Sequence, residues 1–225
     1  MVMMKKFVRT STLILILFLS ACAAPTVSST PQVVNIYLSS SASAWTNNIY
    51  GCASSSTVLK LSDKQNADIV FQIGAPENLS TPSYQIDTED ILVVVDIRSG
   101  LNPDALNLDQ VRGLFSGQIT NWKDVGGADL PVQVWSYAAD DDVQKIFEQD
   151  VMNGQPITSQ ARLAVSALGM SDSMEAQSGS VGILTRRWKS GNTLEEYAIT
   201  KIPALAITKS EAQGAVKDLI ACLQK

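Results

Sequence analysis

Apolar and polar positions change period several times along this chain, and each change marks an element. Val33-Val34-Asn35-Ile36-Tyr37-Leu38 has the β-branched and aromatic enrichment of a strand and runs directly into Ser39-Ser40-Ser41-Ala42-Ser43. A helix is expected from Ala44 to about Cys52. Thr57 to Leu61 makes a second short strand. Ala67 to Gly74 makes another that ends on glycine, so its loop should reach the same sheet edge as the serine turn. Glu77 to Tyr84 is expected to be irregular. Ile91-Leu92-Val93-Val94-Val95 is a continuous apolar run, the pattern of a strand buried on both faces of a parallel or mixed α/β sheet.

Past a linker at Arg98 to Pro103, apolar residues at 108, 111, 114 and 115 predict a short amphipathic helix with Asn107 as its N-cap. Pro131 to Trp135 alternates as a half-buried strand. Asp140 or Asp141 then opens a helix through Gln149 with Val143, Ile146 and Phe147 on one face. Residues 158 to 168 predict a further helix and Met170 to Ala176 a short one. Val181 to Leu184 is a brief strand, and strand-like pieces surround Pro203. The helix predicted from Ser210 to Leu223 turns Ala212, Ala215, Val216, Leu219, Ile220 and Leu223 inward. Strands alternate with helices throughout and no repeat occurs, so the fold class is α/β.

Two chemistries are suggested by placement. A serine turn after a strand and before a helix sets backbone N–H groups and hydroxyls in a ligand crevice, which makes Ser40, Ser41, Ser43 and the neighbouring Gly74 candidate ligand-binding residues. An exposed polar turn with one serine capping the helix is the alternative. Asp140-Asp141-Asp142 either cap the following helix and complement its dipole or contact a ligand. Trp45, Trp135 and Tyr137 can stack on an organic or cationic ligand if they face the same crevice.

Composition narrows the class. At 225 residues, 45% hydrophobic and 17% charged, the chain is that of an ordinary globular protein. Its N-terminus is different. Lys5, Lys6 and Arg9 precede a seven-residue apolar run, Leu13 to Leu19, and small residues stand just before Cys22, as in a secretory signal peptide spanning 1–21. Leu19-Ser20-Ala21-Cys22 resembles the lipobox of bacterial lipoproteins, which implies that Cys22 is lipidated and anchors the protein to a bacterial membrane outside the cytoplasm. Residues 22–32 read as a tether. Removal of the signal takes away three positive charges and no negative ones, moving the net charge from −5 to −8. With no basic run left, nucleic acid is not an expected partner. Two thiols remain, Cys52 and Cys222, in a compartment that permits disulfides; they either bridge or stay as separate buried thiols. The chain has no histidine, which leaves no ligand set for a zinc site and no metal or other cofactor to expect.

The stretch Leu114-Phe115-Ser116-Gly117-Gln118-Ile119-Thr120-Asn121-Trp122-Lys123-Asp124-Val125-Gly126-Gly127 resembles, nearly position for position, the signature of the phosphate-binding proteins of bacterial phosphate ABC importers. The likeness extends through Glu89 to Val95, Leu108 to Arg112 and Ser178 to Leu184, so residues 33 to 188 can be laid along that family. The resemblance implies a two-lobe, periplasmic-binding-protein-like (type II) fold with crossover hinge strands. Residues 33–95 with 185–225 would form one lobe and 96–184 the other, with hinges near Val95 to Arg98 and Leu184 to Arg187. It also implies a small-molecule or ion ligand held between the lobes and an ABC permease as partner.

In the gripping region the chain departs from that pattern. The family's arginine falls at Tyr137 and its Gly-Ser-Gly-Thr run at Asp140-Asp141-Asp142-Val143. Carboxylates placed there repel a phosphate dianion; two unit charges about 4 Å apart cost on the order of 4 kcal/mol at an effective dielectric of 20. The expected function is therefore an extracytoplasmic solute-binding lipoprotein with altered ligand specificity. A sensor or interaction lipoprotein that keeps the fold is the alternative. An enzyme is not expected, since Ser-His and Cys-His pairs are excluded and no nucleophile-elbow or P-loop pattern occurs.

Overall fold

In a computed structural model, residues 30–102, 106–189, 191 and 193–225 are described. The expected signal segment 1–21, Cys22 and the tether up to residue 29 lie outside them. From Pro31 onward the chain forms one compact unit.

Among the described residues eight strands make one mixed sheet: β1 (Gln32–Leu38), β2 (Thr57–Leu61), β3 (Ile69–Ile73), β4 (Ser83–Asp96), β5 (Gln133–Ser136), β6 (Arg162–Leu163), β7 (Ser180–Thr185) and β8 (Thr193–Thr208), in the order β2-β1-β3-β8-β4-β7-β5-β6. The long strands β4 and β8 pair antiparallel along most of their length at its centre. On one side β3, β1 and β2 run parallel to each other; on the other β7, β5 and β6 do. Ile91, Leu92, Val93, Val94 and Val95 are all fully buried, as their unbroken apolar run requires of a strand covered on both faces. Each such side chain removed from water contributes about 1.5–3 kcal/mol.

Among the described residues five α-helices cover the sheet: α1 (Thr46–Gly51), α2 (Leu108–Ser116), α3 (Asp142–Phe147), α4 (Ala167–Ala176) and α5 (Gly214–Leu223). Helix α2 starts at a reciprocal capping box, in which Asn107 Oδ1 accepts from the Gln110 amide and Gln110 Oε1 from the Asn107 amide. It ends on Gly117, whose φ of +77° suits a residue without a Cβ. The chain then turns through Ile119 to Trp122, which is fully buried and donates from Nε1 to the Gly179 carbonyl at 2.9 Å. Gly127 follows because a Cβ there would stand 2.6 Å from the Ser99 carbonyl. Phe115 and Phe147 meet with ring centroids 4.5 Å apart and tie α2 to α3.

Three sequence expectations are corrected. Residues 158 to 168 are not a helix: the chain passes through a turn, lays β6 beside β5, and enters α4 only at Ala167, with Ser166 Oγ accepting from the Gly169 amide. The Ala164 amide donates to the Ser136 carbonyl at 2.9 Å, so pairing with the open edge of β5 overrides the helical spacing, and Leu163 and Val165 remain exposed. Secondly, the pieces around Pro203 are one sixteen-residue strand. Strand β3 ends opposite Ala204, so the missing N–H of Pro203 points past the end of β3, where its carbonyl accepts from the Gly74 amide at 2.9 Å. Thirdly, α5 begins at Gly214, not Ser210. Leu219 and Ile220 are buried on its inner face, and Cys222 near its end is bonded to Cys52 at the end of α1, with Cα atoms 5.7 Å apart.

Candidate ligand cleft

The register of the central strands decides where a cleft can form. β3 climbs along β8 and ends at Ile73, opposite Ala204, which in turn pairs with Asp87 of β4. β7 pairs with the other half of β4, Ile91 to Val95, and β5 runs parallel to β7 in the opposite sense to β3. The C-terminal ends of β1 and β3 therefore face the C-terminal end of β5 across the middle of the sheet. Loops at strand ends carry exposed backbone groups and variable side chains, so this is where a ligand site is expected. A cavity of about 800 Å³ lies there, lined by Tyr37, Ser39, Ser40, Ile73, Gly74, Tyr137, Asp140, Asp141 and Asp142 among others.

Asp142, the first residue of α3, crosses this gap. Its Oδ2 accepts from Ser39 Oγ at 2.7 Å and from the Ile73 amide at 2.8 Å. Ser39 Oγ also accepts from the Ala42 amide at 3.2 Å, which leaves its own proton for the carboxylate. The second oxygen, Asp142 Oδ1, is buried without a hydrogen-bond partner among the described residues. Ser40 makes a second link: its Oγ accepts from the amide of Ala167 at the start of α4, at 3.2 Å.

Asp141 is the N-cap of α3, and its Oδ1 accepts from the Val143 and Gln144 amides at 2.9 and 3.2 Å. Burial and the neighbouring Asp142 push its carboxyl up to about 6, with a smaller contribution from Asp140, against the lowering effect of the two helix amides. Burial, then Asp141 and Asp142, push the Tyr137 hydroxyl upward as well. Tyr137 is 5% exposed, and its amide donates to Gln144 Oε1 at 2.9 Å. Two lysines also line the cavity, Lys64 and Lys145, and they lie 3.0 and 3.9 Å from Glu77, which lines it with them. Among the described residues no cation pairs with Asp140, Asp141 or Asp142. This wall of the cavity thus presents carboxylates beside the Tyr37 and Tyr137 rings and the Ile146 and Val165 side chains.

Of the residues singled out from sequence, Ser40, Gly74, Tyr137, Asp140, Asp141 and Asp142 line the cavity. Ser41 and Ser43 do not. Ser41 is 1% exposed within a 3-10 turn over Ser41–Trp45, and Ser43 Oγ donates back to the Ser40 carbonyl. Trp45 is buried under Arg187, whose guanidinium carbon sits 4.6 Å from its ring centroid, and Arg187 is in turn held by Asp87 and Glu89. Burial raises the Glu89 carboxyl against the lowering influence of Arg187. Trp135 lies under Arg162 and donates to Ser180 Oγ. Sequence reasoning passed over Ser39 and the Ile73 amide. Ser39 was legible as the first polar residue after β1; the Ile73 amide had no signal, being a backbone group left over where pairing stops.

Among the described residues no helix is long and apolar enough to cross a membrane, and no group of three or more His, Cys, Asp or Glu could hold a metal ion.

A family model described as a PBP superfamily domain matches residues 83–222. Among solved structures, a candidate phosphate ABC transporter substrate-binding protein of Clostridium perfringens with bound phosphate superposes with a TM-score of 0.71 at 16% identity, covering 85% of this chain and 93% of that one. An ABC-type phosphate transport receptor of Vibrio cholerae gives 0.63 at 18% identity, covering 85% and 93%. The bromide-bound regulatory domain of HypT from Salmonella typhimurium gives 0.57 at 10%, covering 87% and 95%. At these identities the likeness is one of fold.

Proposed function

The chain belongs to the PBP superfamily, with a periplasmic-binding-protein-like α/β fold, and on that premise we propose that it is a lipid-anchored, extracytoplasmic solute-binding protein whose ligand preference has moved away from phosphate. The observation that carries this reading is the position of Asp142. Its carboxylate takes the Ser39 hydroxyl and the Ile73 amide, two donors that would otherwise be free to receive an anion. A phosphate dianion entering the cavity would meet Asp140, Asp141 and Asp142, while the two lysines that line it, Lys64 and Lys145, pair with Glu77 and not with these aspartates. Acceptors beside aromatic and aliphatic walls suit a neutral or cationic solute that donates hydrogen bonds.

In this reading residues 33–95 with 185–225 form one lobe, 96–184 the other, and solute passes to an ABC permease. Binding rather than catalysis is the role, since no nucleophile and base pair is needed to hold a solute. Thermal unfolding of the full extracytoplasmic chain against inorganic phosphate and against panels of neutral and cationic solutes tests the specificity. A true ligand at 100 times its dissociation constant stabilises by about 2.7 kcal/mol. Stabilisation by a neutral or cationic solute and none by phosphate is the expected result; tight, selective stabilisation by phosphate overturns it.

The internal occupation of the two donors also favours a second reading, a sensor or interaction lipoprotein that no longer delivers solute. Absence of stabilisation by every solute would select it. The anchor has its own test: Cys22→Ser should move the protein from the membrane to the soluble fraction of expressing cells, and unchanged membrane association would remove the lipid from the proposal.

A further inference from the structure

At the Ser39 turn, the sheet leaves a backbone donor without a partner. The last pair between β1 and β3 is Leu38 with Phe71, and the Ser39 amide closes the ladder on the Phe71 carbonyl at 2.9 Å. Two residues later the Ile73 amide points to the side that β1 has abandoned. An amide left there needs an acceptor, because an unpaired buried N–H costs about 1–3 kcal/mol. Among the described residues no backbone carbonyl supplies it. The acceptor is Asp142 Oδ2, from a helix 69 residues further along the chain, and the same oxygen receives the hydroxyl of Ser39.

Two donors from adjacent parallel strand ends, converging on one carboxylate oxygen, are the geometry of a small anion site. We infer that Ser39 Oγ and the Ile73 amide form an oxyanion site that the protein fills with its own Asp142 carboxylate, which acts as a tethered ligand and holds the two walls of the cavity together without solute.

Three features support this beyond the hydrogen bonds themselves. The Ser39 hydroxyl is oriented by the Ala42 amide, so its proton is directed at the carboxylate in advance. Asp142 Oδ1 has no hydrogen-bond partner among the described residues, so the carboxylate engages the two donors through one oxygen alone. A second link between the same walls, Ser40 Oγ to the Ala167 amide, keeps them in register around the first. The inference rests on this site and not on the identity of any solute.

Removing the tethered ligand should open the site to a free one of the same chemistry, a small carboxylate. In the full chain, hydrogen exchange of the peptide containing Ile73 is measured for the wild type, Asp142→Gly and Asp142→Asn, with sodium formate or with sodium chloride at equal ionic strength. The Ile73 amide in Asp142→Gly should exchange about tenfold faster or more, as loss of a charge-assisted bond implies. Formate should restore most of that protection and chloride should not. Asp142→Asn, whose carbamoyl oxygen still accepts, should stay near wild type, and the wild type should ignore formate. Wild-type protection in Asp142→Gly, or protection lost and not returned by formate, overturns the proposal. If Asp142→Gly does not fold, Asp142→Ser gives the same readout with a side chain too short to span the gap. Because exchange is read without solute, its failure is distinct from failure of the solute-binding reading.

Discussion

The variant Cys52→Ser/Cys222→Ser is expected to melt roughly 10 to 20 °C below the wild type under non-reducing conditions, corresponding to a loss of up to about 5 kcal/mol. The two cysteines are 170 residues apart, so their bond closes almost the whole folded chain into one loop. In the chain-entropy account a loop of that length removes more freedom from the unfolded ensemble than a short one does. The native side asks for little distortion, since the Cα separation of 5.7 Å lies in the middle of the usual range. The bond also secures α5, which packs on β4 and β1 and buries Leu219 and Ile220. Calorimetry of the wild type with and without reductant, beside the double serine variant, checks the expectation. A melting temperature unmoved by either treatment would show that packing of α5 alone sets the stability.

The second large effect is a pH dependence centred on Asp141. Its carboxyl is pushed up to about 6, above the ordinary range of an unfolded aspartate, by burial and then by Asp142. The folded state therefore binds a proton more readily than the unfolded state, and below pH 6 it carries protons that the unfolded chain does not. Stability contributed by this group rises as pH falls through about 6 and levels off near 4; at neutral pH its ionised form is a penalty on the order of 3 kcal/mol. Asp141→Asn keeps the N-cap, because asparagine caps as well as aspartate, and removes the charge. The variant should be more stable than wild type by about 2 kcal/mol at pH 7.5, with the advantage vanishing near pH 4. Urea unfolding at both pH values reads this directly. An equal difference at the two values would mean that folding leaves the proton affinity of Asp141 unchanged, and a less stable variant at pH 7.5 would mean that its charge is needed by the helix dipole more than burial penalises it.

Elements whose signals are local were legible in the chain. Asn107 and Gln110 cap α2, Gly117 and Gly127 occupy backbone positions closed to a Cβ, and the apolar run 91–95 forms the buried centre of β4. Where the outcome depended on a neighbour, the reading failed. Residues 158–168 have helical spacing but meet the open edge of β5, and Pro203 interrupts a strand by every local rule yet lies where β3 has already stopped. The candidate site divides along the same line. Tyr137 and the three aspartates could be singled out because they stand where a related pattern has other chemistry. Ser41 and Ser43 were equally polar and equally close, but a 3-10 turn directs one into the core and the other back onto its own backbone.

By itself the sequence determined most of the strands and helices and the acidic character of the region after β5, because periodicity, capping and turn chemistry act within a few residues, and the stretch from Leu114 to Gly127 carried the resemblance to a family. The tertiary structure alone decided that β3 and β5 end facing each other and that the Ile73 amide is left unpaired. It also decided that Asp142 supplies the acceptor, since a hydrogen bond spanning 69 residues depends on sheet register and not on any local pattern.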